Sequence, residues 1–493
     1  MRATALSPAE LAIAVNITKK RLGGQAKRTA VGDELQVPAD PAQSDDWRRH
    51  PFRLVPGEPQ LTFPAAEANH PDYESDTWFL AGALGGESTG RRFAFLTIFN
   101  RNRPGHSLVA DFYTFAVFDL DNGTYATYTD YDMPPANLAP DARPKLATAV
   151  GHLDLAYDSG AGTAVWRSCR DGRNRLVPYT YDVVLVGTDR AGDPMELAVR
   201  VTPTRGPVPL GASSYNGKIA CFGQDDTYSY FQTAMTMTGT LRWGSYEEAV
   251  TGRAGHVDRQ WFPRYAGGGG TGGDPRARAH EWRTINLDNG VDVTIWRQFD
   301  RTKRNALQPF SGATTSPSDP GAQPECAEDI EVGVTGYVRW PERARTLVPP
   351  LAAARYMPDR HRLTSRKLDL ELTGDPLVPA PAHALPIEYM EGPYRYRGTM
   401  RGKPVSGFAF YERSIAMYRD WELVDVLATA VAALGPGAGQ LASMVTRVGS
   451  LIDGGRGREA LDYLDNTVRP AVDAQPAGTQ VAEILADLAN ALR

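Results

Sequence analysis

Between Thr251 and Tyr265 the chain collects residue types that could do acid–base chemistry: His256, Asp258, Arg259, Trp261 and Tyr265 within ten positions. Read as a β-strand, this stretch turns His256, Asp258 and Gln260 to one face and Val257, Arg259 and Trp261 to the other. Polar residues at alternate positions of a core strand face either solvent or a cavity. In a cavity Asp258 loses hydration, its pKa rises, and it can keep a proton near neutral pH for general acid work. His256 could then orient water or take a proton. Arg259 could clamp a carbonyl with its bidentate fork, or serve as a buried ion-pair partner. Trp261 could stabilise a cation through its π face, or simply fill core. Asp258 itself could be tied up in an ion pair with Arg253 or Arg264.

Other chemistries lack support. The eight histidines are scattered, no two within five residues, so no local metal-ligand spacing exists. The sequence Gly211 to Tyr215 departs from a serine nucleophile elbow at its last position. Gly267 to Gly272 formally fits a dinucleotide-binding pattern, but it lies in a glycine-rich run without the flanking strand and helix that pattern needs. No cofactor and no metal are therefore expected. A formal net charge of -5 argues against nucleic-acid and anionic-membrane partners. No apolar run reaches the length of a membrane span. Cys169, Cys221 and Cys326 are too few and too distant for a disulfide framework. The first 24 residues read as an amphipathic helix without the order of a secretory signal, and a cytoplasmic protein is expected.

The elements that must position these residues are mostly β. From Trp78 onward, apolar runs rich in Phe, Tyr, Val and Thr recur between Gly, Asn and Asp turns; Arg92 to Phe99, Asp111 to Leu120, Tyr181 to Val186 and Met195 to Val201 are examples. Asn122-Gly123 marks a hairpin of the type I′ kind. In Val291 to Phe299 one face holds Val291, Val293, Ile295, Arg297 and Phe299, the other Asp292, Thr294, Trp296 and Gln298. After Ser414 the period changes to helical, with Leu423, Leu427, Ala430, Val431 and Leu434 on one face and Gly435-Pro436-Gly437 as a stop. The reading is an N-terminal arm with a short helix (1–60), two β domains (61–240 and 241–413) and a helical extension (414–493). That extension is a packing or homodimerisation element, or else a lid.

An ordered set of segments resembles a known group, the lipocalin-like superfamily of carotenoid 1,2-hydratases (hydroxyneurosporene synthase), AttH-like proteins and related cyclases. Its hallmark is an acid–His–Trp box after a Gly-bearing strand. Here Asp258-Arg259-Gln260-Trp261 follows Val250-Thr251-Gly252. Upstream, Asp76 to Gly82 with its Trp78, Gly90 to Phe95, and Tyr228 to Phe231 with Gly239-Thr240 fit the family's aromatic strands. Downstream, Glu388 to Pro393 and Gly407 to Glu412 fit its closing segments. The resemblance spans about 70–413 and implies an all-β fold of two tandem lipocalin-like β-barrels, with a ligand pocket between or within them. The chain departs from the pattern where Arg259 replaces the box histidine, and arginine cannot exchange protons at neutral pH.

Together these readings suggest a cofactor-independent enzyme acting on a hydrophobic, isoprenoid or polyene-like small molecule. Proton-initiated water addition would make it a hydratase, and isomerisation or cyclisation an isomerase or lyase. A pericyclase holding a reactive fold of its substrate and a non-catalytic lipid carrier are the alternatives. The catalytic candidates are Asp258, His256 and Arg259; the substrate-binding candidates are Trp261, Tyr265, Tyr228, Tyr230, Glu391 and Trp78.

Overall fold

A computed structural model describes residues 61–102, 111–132, 143–221, 224–262, 275–319, 321–341, 346, 350–474 and 479–493. The expected N-terminal helix, Arg264, Tyr265 and the glycine-rich run after it lie outside these residues. Among the described residues the strands form two antiparallel sheets, one of fifteen strands within 75–262 and one of eleven within 278–414.

In the first sheet the long strand Ser75–Gly86 is central. Strand Arg92–Asn102 runs along one edge of it, and strands Gly255–Phe262 and Tyr246–Gly252 share the other. Gly255 sits opposite Gly82 at this change of partner, where a side chain on Gly255 would meet the Ala81 carbonyl oxygen at 2.4 Å. The sheet curls until the Tyr113 hydroxyl donates to the Val186 carbonyl and accepts from the Val186 N–H, at 3.0 and 3.1 Å. Its concave side is packed solid with Trp78, Leu80, Phe95, Phe99, Tyr113, Trp166 and their neighbours. The second sheet curls likewise around Ile285, Ile295, Met357, Leu372, Tyr394 and Tyr411.

The convex sides of the two sheets meet in a third apolar layer. Phe79, Leu96, Ile98 and Phe118 from the first sheet pack there with Val378, Leu385 and Phe410 from the second half of the chain. Hydrogen bonds pin both flanks. On one, the Tyr125 hydroxyl donates to the Ala380 carbonyl (3.1 Å) and the Thr127 hydroxyl pairs with His383 Nδ1 (2.9 Å). On the other, Arg205 bonds Asp292 (3.0 Å) and the Gly211 N–H donates to the Thr314 hydroxyl (2.8 Å).

Two expectations need correction. A domain boundary at 240/241 cuts the strand Met235–Trp243, and the first sheet continues through Phe262. Asp258 therefore belongs to the first sheet; the composition gave no break here because all these strands share one texture. The Asn122-Gly123 hairpin exists, but its strands pair only to Asp119 and Thr124. Only Gly123 takes a positive φ, 63°, and the Asp119 carboxylate holds the four-residue loop by accepting from the Asp121 and Asn122 N–H groups. Helices Asp420–Ala432, Gly439–Asp453 and Thr479–Leu492 form where the helical pattern predicts, and bury Leu423, Leu427, Val431, Leu441, Ile484 and Leu488 in a core of their own.

Candidate active site

The strand Gly255–Phe262 is buried at every position, so its two faces see two different interiors. Alternation sends His256, Asp258 and Gln260 to the convex side of the first sheet, in register with Ala81, Phe79 and Thr77 on one neighbour and Thr233, Phe231 and Ser229 on the other. Facing them is the convex side of the second sheet. Pairing among strands Arg278–Leu287, Val291–Asp300, Tyr389–Met400 and Lys403–Ser414 brings His280, Trp282, Trp296, Gln298, Glu391, Phe410 and Glu412 onto that side.

Three carboxyls thus converge at the junction. Asp258 is 4% exposed, Glu391 1% and Glu412 7%. Burial pushes the Asp258 carboxyl well above the usual carboxylate range; the Glu412 charge raises it further and Arg259 offsets only part of this. Glu391 is driven up in the same way by burial and by Glu412 and Asp258. Neighbouring negative charge disfavours ionisation, so Asp258 and Glu391 both hold their protons more tightly than an ordinary carboxyl. The Asp258 carboxyl lies beside the His256 ring, Oδ2 to Nε2 at 3.8 Å. Arg253 is exposed and makes no ion pair with Asp258 among the described residues.

His256 is held between Phe79 and Phe410, with ring centroids at 5.0 and 6.4 Å. Loss of hydration lowers its pKa to about 3, so the imidazole is neutral, and its Nε2 has no hydrogen-bond partner in the structure. Across the junction Glu412 contacts His280 Nε2 at 3.4 Å, and the Tyr389 hydroxyl lies 3.3 Å from the same nitrogen. His280 is fixed by the Ser414 hydroxyl at 3.0 Å and stacks on Trp296 at 5.2 Å. Among the described residues neither side-chain polar atom of Gln298, fully buried beside it, has a hydrogen-bond partner, and neither does one oxygen of Glu391. The junction is therefore mostly apolar and aromatic, with a few buried polar atoms left to bond.

The remaining sequence candidates lie elsewhere. Arg259 points to the opposite face, where it bonds Asp76 at 3.1 Å, donates to the Thr77 and Ala68 carbonyls at 2.6 Å each, and lies 4.2 Å over the Trp78 ring. It is an ion-pair and clamp residue for the segment before the first strand, not a catalytic one. Trp261 stacks on His70 at 4.2 Å and on Tyr228 at 6.1 Å, and Tyr230 packs against Phe63 and Trp261. Trp78 is core, its Nε1 donating to the Glu67 carbonyl at 2.9 Å. The sheet itself separates Arg259, Trp261, Tyr228, Tyr230 and Trp78 from Asp258. Sequence reasoning missed His280, Tyr389, Trp296, Gln298 and Glu412 as site residues.

Among the described residues no cluster of three or more His, Cys, Asp or Glu side chains is placed to hold a metal ion. No helix there is long and apolar enough to cross a membrane.

Comparison with proteins of curated function finds no match. Among solved structures, a Nitrosomonas europaea protein described as an AttH is 18% identical, with a TM-score of 0.51 over 73% of this chain and 98% of its own. Kievitone hydratase from Nectria haematococca is 13% identical, with a TM-score of 0.49 over 74% of this chain and 96% of its own. CghA with Sch210972 is 14% identical, with a TM-score of 0.41 over 74% and 95%. The first of these shares the two-sheet fold, and the family description AttH-like matches residues 54–412, so the chain belongs to the AttH-like family.

Proposed function

We propose that the protein is a cofactor-independent enzyme that starts its reaction by protonating a hydrophobic, isoprenoid or polyene-like small molecule at the junction of the two sheets. The observation that carries this reading is the Asp258 carboxyl, enclosed, held above the usual carboxylate range, and set among Phe79, Phe410 and two further carboxyls. A carboxyl that keeps its proton near neutral pH is available to donate it to an electron-rich double bond or carbonyl. The face of Trp296, Phe410 or Tyr389 then stabilises the resulting cation, the part that the sequence assigned to Trp261. His256, neutral and with its Nε2 unpartnered among the described residues, orients water on the cation; the Asp258 carboxylate takes back the proton that the adding water sheds, which gives hydration and restores the acid. Glu412, backed by His280 and Tyr389, instead removes a proton, which gives isomerisation or cyclisation. Cys169 and Cys326 are buried free thiols, which suits a reducing, cytoplasmic setting.

Asp258→Asn tests the acid role. Incubation with lipophilic metabolite fractions, followed by mass spectrometry, identifies a substrate of the wild-type protein by its gain of one water or by an isomeric product. The variant should lose turnover by about 100-fold or more while binding of an apolar dye such as Nile red is retained. Wild-type activity should fall as pH rises through the raised Asp258 pKa. Undiminished product formation by the variant would overturn the acid role. A lipophile that binds wild-type protein stoichiometrically and is recovered unchanged would favour a carrier.

A further inference from the structure

The inner faces of the same second-sheet strands hold a feature that the junction does not use. Alternation along Arg278–Leu287 sends His280 and Trp282 to the junction but Glu281 and Arg283 into the closed interior of the second sheet. Arg297 from the neighbouring strand and Arg413 from the closing strand point into the same interior. All three guanidinium groups lean on one acid: Arg297 reaches Glu281 at 3.0 Å, Arg283 at 3.2 Å and Arg413 at 3.9 Å. Arg283 is 0% exposed and Arg413 2%.

Glu422 is paired with Arg301 at 2.7 Å, and Asp359, which accepts from the neutral Tyr394 hydroxyl at 3.4 Å, makes no ion pair with these three arginines among the described residues. Arginine cannot relieve the imbalance by losing a proton, so the excess positive charge persists at every pH the fold survives. A buried excess of this kind is costly unless an anion matches it.

Several donors on these and adjacent side chains are left unused. Among the described residues Arg283 Nε and Nη2, Arg297 Nε, Arg413 Nε, both ring nitrogens of His361 and the Tyr411 hydroxyl are buried without a hydrogen-bond partner. His361 packs on Tyr411 at 4.3 Å between centroids, and the Arg283 guanidinium lies 4.6 Å over the same Tyr411 ring. Burial, with Arg283 next, lowers the His361 pKa well below its ordinary value, which leaves a neutral ring with one N–H to donate. Arg297, with 16% of its side chain exposed, is the least enclosed of the three arginines and marks the way in.

We propose that the interior of the second sheet is a binding site for a small oxyanion, gripped by Arg283, Arg297 and Arg413 and completed by Tyr411 and His361. The ligand class is inorganic phosphate or sulfate, or the carboxylate of a small acid, since each offers several acceptor oxygens to forked N–H donors. The site is separated from Asp258 by the thickness of the sheet, so it stands or falls independently of the proposed reaction.

Equilibrium dialysis of the full chain with radiolabelled phosphate, and competition by sulfate and by acetate, tests the site. Saturable binding of one anion per chain is expected, with the stronger competitor distinguishing a tetrahedral oxyanion from a carboxylate. Arg413→Met should weaken binding roughly tenfold or more, while Arg200→Met, an exposed pair with Asp182 on the first sheet, should not. Because the Arg413 variant could fail to fold, selenate soaked into wild-type crystals provides a second readout. Anomalous density among the three guanidinium groups would support the site. Absence of saturable binding by all three anions, or selenate found only at the surface, would overturn it.

Discussion

Two buried carboxyls lie on either side of the first sheet, and burial raises both for different ends. Asp258 faces other carboxyls and aromatic rings at the junction. Glu67 lies behind Arg259 in the opposite interior, bonded to the Tyr181 hydroxyl, with its second oxygen unpartnered. Burial outweighs the Tyr181 bond and the Arg259 charge and pushes Glu67 up to about 8. A carboxyl whose folded pKa exceeds its unfolded value binds its proton more tightly in the native state. Its contribution to stability is complete below about pH 4.5 and is lost as pH rises towards 8. Glu67→Gln keeps the shape and removes the titration. Urea unfolding across that window should show the wild type losing up to about 1.4 kcal/mol per pH unit relative to the variant. Parallel pH profiles for the two proteins would refute this account of Glu67. Asp258 and His256 were legible from period two alone, since a core strand with polar residues on one face must aim them at something polar. Glu67 was not, because it sits in a short 3₁₀ turn, Ala65–Glu67, that carries no alternation.

At the scale of the element, the Gly255–Phe262 strand shows how adjacency in sequence misleads. Arg259 and Trp261 neighbour Asp258 along the chain, and the family box invites a shared role. The alternation that exposes Asp258 to the junction must turn both away from it. His280, Trp296, Gln298 and Glu412 come to the side that Asp258 faces only because a second sheet docks convex side to convex side, and docking leaves no periodic trace in the sequence. A partial signal was present: Asp292, Thr294, Trp296 and Gln298 form a polar and aromatic face on a strand buried at all but two positions, its first and Arg297. Such a face needs a partner other than solvent. The expected consequence is a clean split between the two tryptophans. Trp296→Ala should lower turnover by roughly tenfold, the worth of about 1.4 kcal/mol of cation stabilisation, with apolar-dye binding largely kept. Trp261→Phe should leave turnover near the wild-type value and act on melting temperature instead. Steady-state kinetics with the substrate identified for the wild type would reverse the assignment if Trp261→Phe were the more damaging change.

At the scale of the whole molecule, the helical extension bears on the site through the second sheet rather than by covering the junction. Its first helix, Asp420–Ala432, begins at a buried ion pair: Arg301, at the end of the strand Val291–Asp300, meets Glu422 with Nε to Oε1 at 2.9 Å and Nη2 to Oε2 at 2.7 Å. Glu422 also accepts from the Tyr418 and Arg419 N–H groups at 3.1 Å, so one carboxylate caps the helix and anchors it. Tyr356, on the strand Tyr356–Ser365 next to the edge strand Glu331–Arg339, joins the helical core and donates to Asp487 on the final helix at 2.7 Å. The extension is thus part of the second sheet's cover, and its apolar stripe is spent within the chain. Glu422→Ala removes one partner of a desolvated pair and leaves Arg301 charged and buried, at a cost of about 3–5 kcal/mol. Replacing both, as Arg301→Met with Glu422→Leu, removes the unpaired charge and should recover much of that loss. Chemical denaturation of the three variants separates the two cases. If Glu422→Ala melts only the helices, with a separate early transition and an intact second sheet, the extension is an independent appendage. A single cooperative transition moved to lower denaturant would show that sheet and helices fold as one unit, and that deleting 414–493 would unseat the wall carrying His280 and Glu412 along with the helices.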